Sequence, residues 1–208
     1  MGTVDRRPDG VIEGGFASNL PAELLIDRGA IARRIDVLGT ELSALFGTGQ
    51  PPVLVGILKG SAMFLADLMR AMDIDVVVDF MSISSYSQSG VVRIVKDLDE
   101  DIRGRVVVIV EDIVDTGLSL NYLRKTLSQR EPSSLRAATL LDKTARRIIP
   151  VPLEFSAFEI PDAFVVGYGL DFQGLYRNVP DILAVRDLAR LANDPRLMVP
   201  QFFGLKNG

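Results

Sequence analysis

The densest group of reactive side chains lies between Val106 and Ser119. An apolar run, Val106-Val107-Val108-Ile109-Val110, leads into two adjacent acids, Glu111 and Asp112. Ile113-Val114, a third acid at Asp115, and Thr116-Gly117-Leu118-Ser119 follow. A continuous apolar run predicts a strand buried on both faces. The turn Asp115–Ser119 can aim several backbone N–H groups and two hydroxyls at one point. The helix expected after it adds the positive end of its dipole, so the segment can cradle a phosphate. Two carboxylates beside such a cradle suit sugar hydroxyls or Mg2+. Acidic capping of a helix could explain one carboxylate, but three at one strand end are costly for a cap.

Other polar residues stand at the ends of apolar runs. Lys59-Gly60 closes Val53–Leu58, Lys143 follows Leu140-Leu141-Asp142, and Asp171 follows Tyr168-Gly169-Leu170. A lysine in such a place is ordinarily a solvated strand exit, and an Asp there is ordinarily a turn residue. Phe164 opens another apolar run, where an aromatic is ordinarily core.

The composition limits the chemistry. The 208 residues include no Cys and no His. This excludes disulfides, thiolate metal sites, a cysteine nucleophile, a Ser-His-Asp triad and an HExxH zinc site. Acid–base work falls to carboxylates, Lys, Tyr or groups on the substrate. The net charge of -4 argues against a broad nucleic-acid-binding face. No apolar run reaches the ~18 residues of a membrane span. The first residues, MGTVDRRPDGVIEGG, have no apolar stretch after their basic residues, so they read as a polar tail and not a secretory signal. A cytoplasmic protein is expected. The length fits one domain, at roughly 150 residues per domain, with residues 1–23 as tail, 24–193 as the domain and 194–208 as an extension.

The elements that would position these residues can be read from periodicity. Ile31, Ile35, Leu38, Leu42 and Leu45 recur at helical spacing, and Asp27 can cap that helix. Val53–Leu58 predicts a buried strand, and Ser61 can cap a helix carrying Phe64, Leu65, Leu68 and Met72. Asp75–Ile83 predicts a strand, with Val91–Val95 as its hairpin return around a polar tip at Ser84–Gly90. Strands are also expected at Arg105–Val110, Leu135–Leu141, Phe155–Ile160, Phe164–Tyr168 and Ile182–Val185. A helix carrying Leu120, Leu123 and Leu127 is expected after Ser119, and a short one from Val185 to Asn193. Strands alternating with helices predict an α/β fold with a mostly parallel sheet. Ligands bind such sheets at the carboxyl ends of the strands, beside the topological switch point.

The Val106–Ser119 segment resembles the 5-phosphoribosyl 1-diphosphate (PRPP) motif of type I phosphoribosyltransferases: four apolar residues, two acids, two apolar residues, then Asp-Thr-Gly-x-Ser. Val53–Arg70, Asp79–Asp97, Leu140–Lys143 and Val165–Arg177 resemble hypoxanthine-guanine phosphoribosyltransferase segments, in order and at similar spacing. The resemblance covers approximately Leu24 to Leu188. It implies a parallel sheet flanked by helices, a small hood and a mobile hairpin flap. It also implies transfer of phosphoribosyl from PRPP to a 6-oxopurine with Mg2+, in a homodimer or homotetramer without nucleic-acid or membrane partners.

The resemblance assigns roles to residues. Asp115 matches a general base near purine N7, and Glu111 and Asp112 match the acids near the ribose hydroxyls and metal. Asp115, Thr116, Gly117, Leu118 and Ser119 match the phosphate loop. Lys59, Gly60 and Arg177 fall beside the diphosphate, with an unusual peptide geometry at Lys59. Asp171 matches a further metal ligand. Lys143 falls on purine O6, Phe164 on the purine face, and Ile113 and Val165 beside the base. Ser85 and Tyr86 fall on the flap, which excludes water from the activated ribose. Ala163 stands where some relatives carry Lys, which leaves the purine preference open, xanthine included. A non-catalytic regulator on this fold would need a basic face or an added DNA-binding domain, and the sequence has neither.

Overall fold

The computed structural model describes residues 20–47, 49–84 and 92–203. Its frame is a six-stranded sheet built from β2 (Val53–Ile57), β3 (Val77–Ile83), β4 (Ile94–Lys96), β5 (Val106–Val114), β6 (Ser134–Asp142) and β7 (Phe155–Glu159). The spatial order is β4-β3-β2-β5-β6-β7. β4 runs antiparallel to β3, and the other neighbours are parallel. The chain goes from β2 to β3 on one side and later places β5 on the other. The switch point therefore falls between β2 and β5.

Alternation along the buried strands explains the layers. Leu54, Val108, Val110, Ala138 and Leu140 face one way, onto α1 (Arg28–Phe46) and α2 (Ala62–Ala71). Val53, Val55, Val107, Ile109 and Ala137 face the other way, onto Leu120, Leu123 and Leu127 of α3 (Leu118–Ser128). Burying one such Leu contributes about 1.5–3 kcal/mol. α1 begins where expected: the Asp27 side chain accepts from the Ala30 N–H at 2.9 Å, worth about 1 kcal/mol. Ile31, Ile35, Leu38 and Leu42 are buried, but Leu45 is 46% exposed.

A second sheet, β1 (Ala22–Ile26), β9 (Ile182–Val185) and β8 (Phe164–Val166), is antiparallel in the order β1-β9-β8. It corresponds to the expected hood. Val165, Leu170 and Ile182 join the same apolar cluster as α1 and α2. β1 takes in Ala22 and Glu23, two residues assigned to the tail by sequence. It forms because β9 offers it a pairing partner. A short helix, α4 (Leu188–Asn193), begins three residues later than the sequence suggested, because Val185 is taken by β9. The last helix, α5 (Val199–Phe203), was not foreseen. Val199, with Met198 before it, packs against Val166 and Leu183 of the hood.

Two further expectations are corrected. β5 does not end before its acids but runs through them to Val114, because β6 pairs with it as far as Asp142. The Ser61 hydroxyl caps no amide of α2; it donates to the Ile57 carbonyl at 2.7 Å.

Candidate active site

The carboxyl ends of β2, β5 and β6 bring most of the singled-out residues together, and a turn after β8 closes over them. At the end of β2, the Leu58–Lys59 peptide is cis, the Lys59 side chain is exposed and Gly60 is buried. Gly60 has no room for a side chain: a Cβ there would lie 1.5 Å from Asp112 Oδ2. A Cβ on Gly169, where φ is +98°, would lie 2.2 Å from the Gly60 carbonyl oxygen. Backbone thus touches backbone between the β2 end and the hood turn, with the Asp112 carboxylate against them. Only glycine permits this.

The turn carries Asp171 and Arg177. Arg177 Nη1 donates to the Gly169 carbonyl at 2.6 Å, and Nη2 lies 2.6 Å from Asp171 Oδ1. Asp171 Oδ2 accepts from the Gly174 N–H at 2.6 Å. Burial pushes Asp112 up to about 6. The amides of Ile113 and of Asp112 itself and the Arg177 guanidinium oppose that rise, and the charge of Asp171 adds to it. Glu111 is 6% exposed, and burial, followed by the charge of Asp112, holds it well above the usual carboxylate range.

Glu111 and Asp112 are neighbours within a strand, so their side chains leave opposite faces. Among the described residues no three acids form a metal cluster, so Glu111 does not join Asp112 and Asp171 in a three-acid cage. The donor set still fits Mg2+, which is usually held by one or two carboxylates with water and phosphate oxygens completing the shell.

Beyond β5, Gly117 adopts φ +85° and α3 starts at Leu118. The Leu118 N–H lies 3.4 Å from Thr116 Oγ1, and Ser119 is exposed. The first amides of an eleven-residue helix therefore open beside Asp115. A segment that sequence reasoning missed holds this loop from outside. Arg147 Nη1 donates to the Asp115 carbonyl at 3.0 Å while Nη2 pairs with Asp142, and the Ile148 N–H donates to the Thr116 carbonyl at 3.0 Å. Arg146 Nε lies 3.2 Å from Asp115 Oδ1, a buried oxygen that accepts no hydrogen bond among the described residues. The Arg146-Arg147 pair, three residues after Lys143, was the available signal.

Lys143 is not a surface lysine. It is 6% exposed, its N–H donates to the Val114 carbonyl at 2.9 Å, and its ammonium makes no hydrogen bond or ion pair among the described residues. Phe164 is not core. It is 38% exposed and meets the edge of Phe172 at 5.8 Å. Val165 is buried on β8, which is an edge strand and leaves half its backbone groups unpaired by the sheet. Ile113 is half-buried. Ser85 and Tyr86 lie outside the described residues. Among the described residues, no helix is long and apolar enough to cross a membrane.

Comparison with known proteins points the same way. A family model described as the phosphoribosyl transferase domain matches residues 26–173. Hypoxanthine phosphoribosyltransferase of Escherichia coli is 50% identical over 165 residues, covering 77% of this chain and 93% of that protein. Hypoxanthine-guanine phosphoribosyltransferase of Aquifex aeolicus is 43% identical over 169 residues, covering 79% of this chain and 95% of that protein. The crystal structure of a hypoxanthine-guanine phosphoribosyltransferase from Bacillus anthracis superposes with a TM-score of 0.75 at 39% identity, covering 78% of this chain and 98% of that one.

Proposed function

This chain belongs to the phosphoribosyltransferase family, and on that footing we propose that it makes purine nucleotides by salvage. It transfers phosphoribosyl from PRPP to N9 of hypoxanthine or guanine, releasing IMP or GMP and diphosphate. The observation that carries the 6-oxopurine reading is Lys143. Its ammonium is a donor without an acceptor lone pair. It sits on a 6%-exposed residue with no side-chain partner among the described residues. The ammonium nitrogen itself keeps access to solvent, so its donors are open to an incoming acceptor, and the O6 of a 6-oxopurine supplies one.

The other residues fit the reaction around that contact. The amides and hydroxyls of Thr116, Gly117, Leu118 and Ser119 hold the 5′-phosphate at the start of α3. Asp112 accepts from the ribose hydroxyls, with Glu111 as its neighbour on the opposite face of β5. The Lys59–Gly60 backbone and Arg177 face the diphosphate. Phe164 stacks on the purine, Val165 offers backbone groups to its edge, and Ile113 lines the base. As the C1–O bond to diphosphate breaks, the N9 lone pair forms the new C1–N bond and the N7 proton passes to Asp115. Asp112 and Asp171 would hold Mg2+, which when bound neutralises the diphosphate and eases its departure. The working form is a homodimer or homotetramer in the cytoplasm.

The direct test is a purine panel. The full chain is incubated with PRPP, Mg2+ and hypoxanthine, guanine, xanthine or adenine, and nucleotide and diphosphate are measured. IMP or GMP should appear in equal amount with diphosphate, cease on adding EDTA, and resume with excess Mg2+. Absence of nucleotide from all four bases contradicts the reading.

A further inference from the structure

The turn from Asp171 to Arg177 is shaped by backbone conformations that side-chain-bearing residues rarely adopt. Gln173 has φ 51°, Gly174 83° and Tyr176 73°. Inside the turn, Phe172 and Leu175 exchange backbone hydrogen bonds at 3.2 and 3.0 Å, and none of these reaches Tyr176. Tyr176 is the residue immediately before Arg177 and is 2% exposed.

Its carbonyl accepts from the Val179 N–H at 3.0 Å, and its side chain is held from the end of the chain. The Tyr176 hydroxyl donates to the Pro195 carbonyl at 2.5 Å and lies 3.4 Å from the Met198 N–H, which donates to it. The ring packs in one apolar cluster with Leu183, Leu191, Met198 and Val199. Asp194 folds the segment locally, accepting at its carboxylate from the Arg196 N–H at 3.1 Å and at its carbonyl from the Leu197 N–H at 3.1 Å. All these contacts lie beyond residues 26–173, the span of the family match. A phenylalanine would fill the same apolar space, so the hydroxyl is there for its two backbone partners.

We infer that segment 194–203 is a strut for the reaction site: through Tyr176 it positions Arg177 against the diphosphate of PRPP. Tyr176 is a positioning residue and touches no substrate. The inference rests on the phosphoribosyltransferase reading of Arg177.

The test uses the full chain with Tyr176→Phe, and the same chain stopped after Asp194. KM for PRPP, KM for hypoxanthine at saturating PRPP, kcat and the melting temperature are measured. Tyr176→Phe should raise KM for PRPP about 2–10-fold, the scale of one hydrogen bond. KM for hypoxanthine and kcat should stay within twofold. The shortened chain should show the same split, larger. If it does not fold, Met198→Ala in the full chain replaces it and should move the same KM. A lowered melting temperature with both KM values unchanged overturns the inference and leaves the activity standing. So does a fall in kcat alone, which reports fewer active molecules. A wild-type chain that makes no nucleotide refutes the phosphoribosyltransferase reading itself, and the strut with it.

Discussion

Gly60 and Asp112 meet as bare backbone against a carboxylate, so close that a Cβ on Gly60 would lie 1.5 Å from Asp112 Oδ2. The contact joins the end of β2 to the acid on β5 across the switch point. It also fixes the hood turn, since Gly169 leaves no room for a Cβ against the Gly60 carbonyl. Three chain segments therefore share one point, and the carboxylate at that point is aimed by the packing around it.

Gly60→Ala should displace that carboxylate without removing any reacting group. A misplacement of about 1 Å in a reacting constellation costs about 10²-fold. We expect kcat/KM for PRPP to fall by about that factor, with most of the fold retained by circular dichroism. A value within threefold of wild type would mean that Asp112 moves aside at no cost.

The Arg147–Asp142 pair should matter to stability as well as to the loop. The two side chains are only 18% and 14% exposed, and Arg147 also holds the Asp115 carbonyl. Arg147→Ala would leave the Asp142 carboxylate largely buried without its partner. Losing one member of a buried pair costs about 3–5 kcal/mol, and the remaining exposure brings the expectation to about 2–3 kcal/mol. Urea unfolding of Arg147→Ala, Asp142→Ala and the double variant checks it. The double variant should lose less than the sum of the singles, and strict additivity would contradict the coupling.

Asp79 should make the fold sensitive to acid. Burial alone would raise its pKa, but the N–H groups of Glu100, Phe80 and Asp99, with Lys96 at 3.6 Å, outweigh burial and lower it. An acid whose folded pKa lies below its unfolded value contributes stability above the unfolded pKa and loses it as pH falls through the folded one. Asp79→Asn should therefore destabilise the protein at pH 7, by about 1–3 kcal/mol, and much less below pH 3. Equal destabilisation at both pH values would remove the charge from the explanation.

How much of this could be read from the sequence depends on range. The acid-rich strand end, the tight turn from Asp115 to Ser119 and the capping Asp27 are local patterns, so residue type and spacing reveal them, whereas Lys59-Gly60 is marked only by the family resemblance. The burial of Lys143 is not local. A lysine after an apolar run is ordinarily solvated, and only the fold encloses this one. β5 was read too short because Asp and Glu are depleted in strands, yet pairing with β6 carries the ladder past Glu111 and Asp112. β1 is invisible without β9, and the grips of Arg147 on Asp115 and of Tyr176 on Pro195 join residues 32 and 19 positions apart.

The measurement that bears most directly on 6-oxopurine transfer is kcat/KM for hypoxanthine and adenine in wild type and in Lys143→Ala. On the proposed reading O6 of hypoxanthine would accept from the Lys143 ammonium, whereas the 6-amino group of adenine brings donors of its own and would leave that cation unpaired. Sites built around a substrate hydrogen bond reject an analogue lacking it by about 10⁴–10⁵. The expected result is near-exclusive use of hypoxanthine by the wild type, and a gap that narrows in Lys143→Ala because the oxopurine loses far more than adenine. Comparable kcat/KM for the two bases in the wild-type enzyme would contradict the role of Lys143 and the 6-oxopurine reading with it.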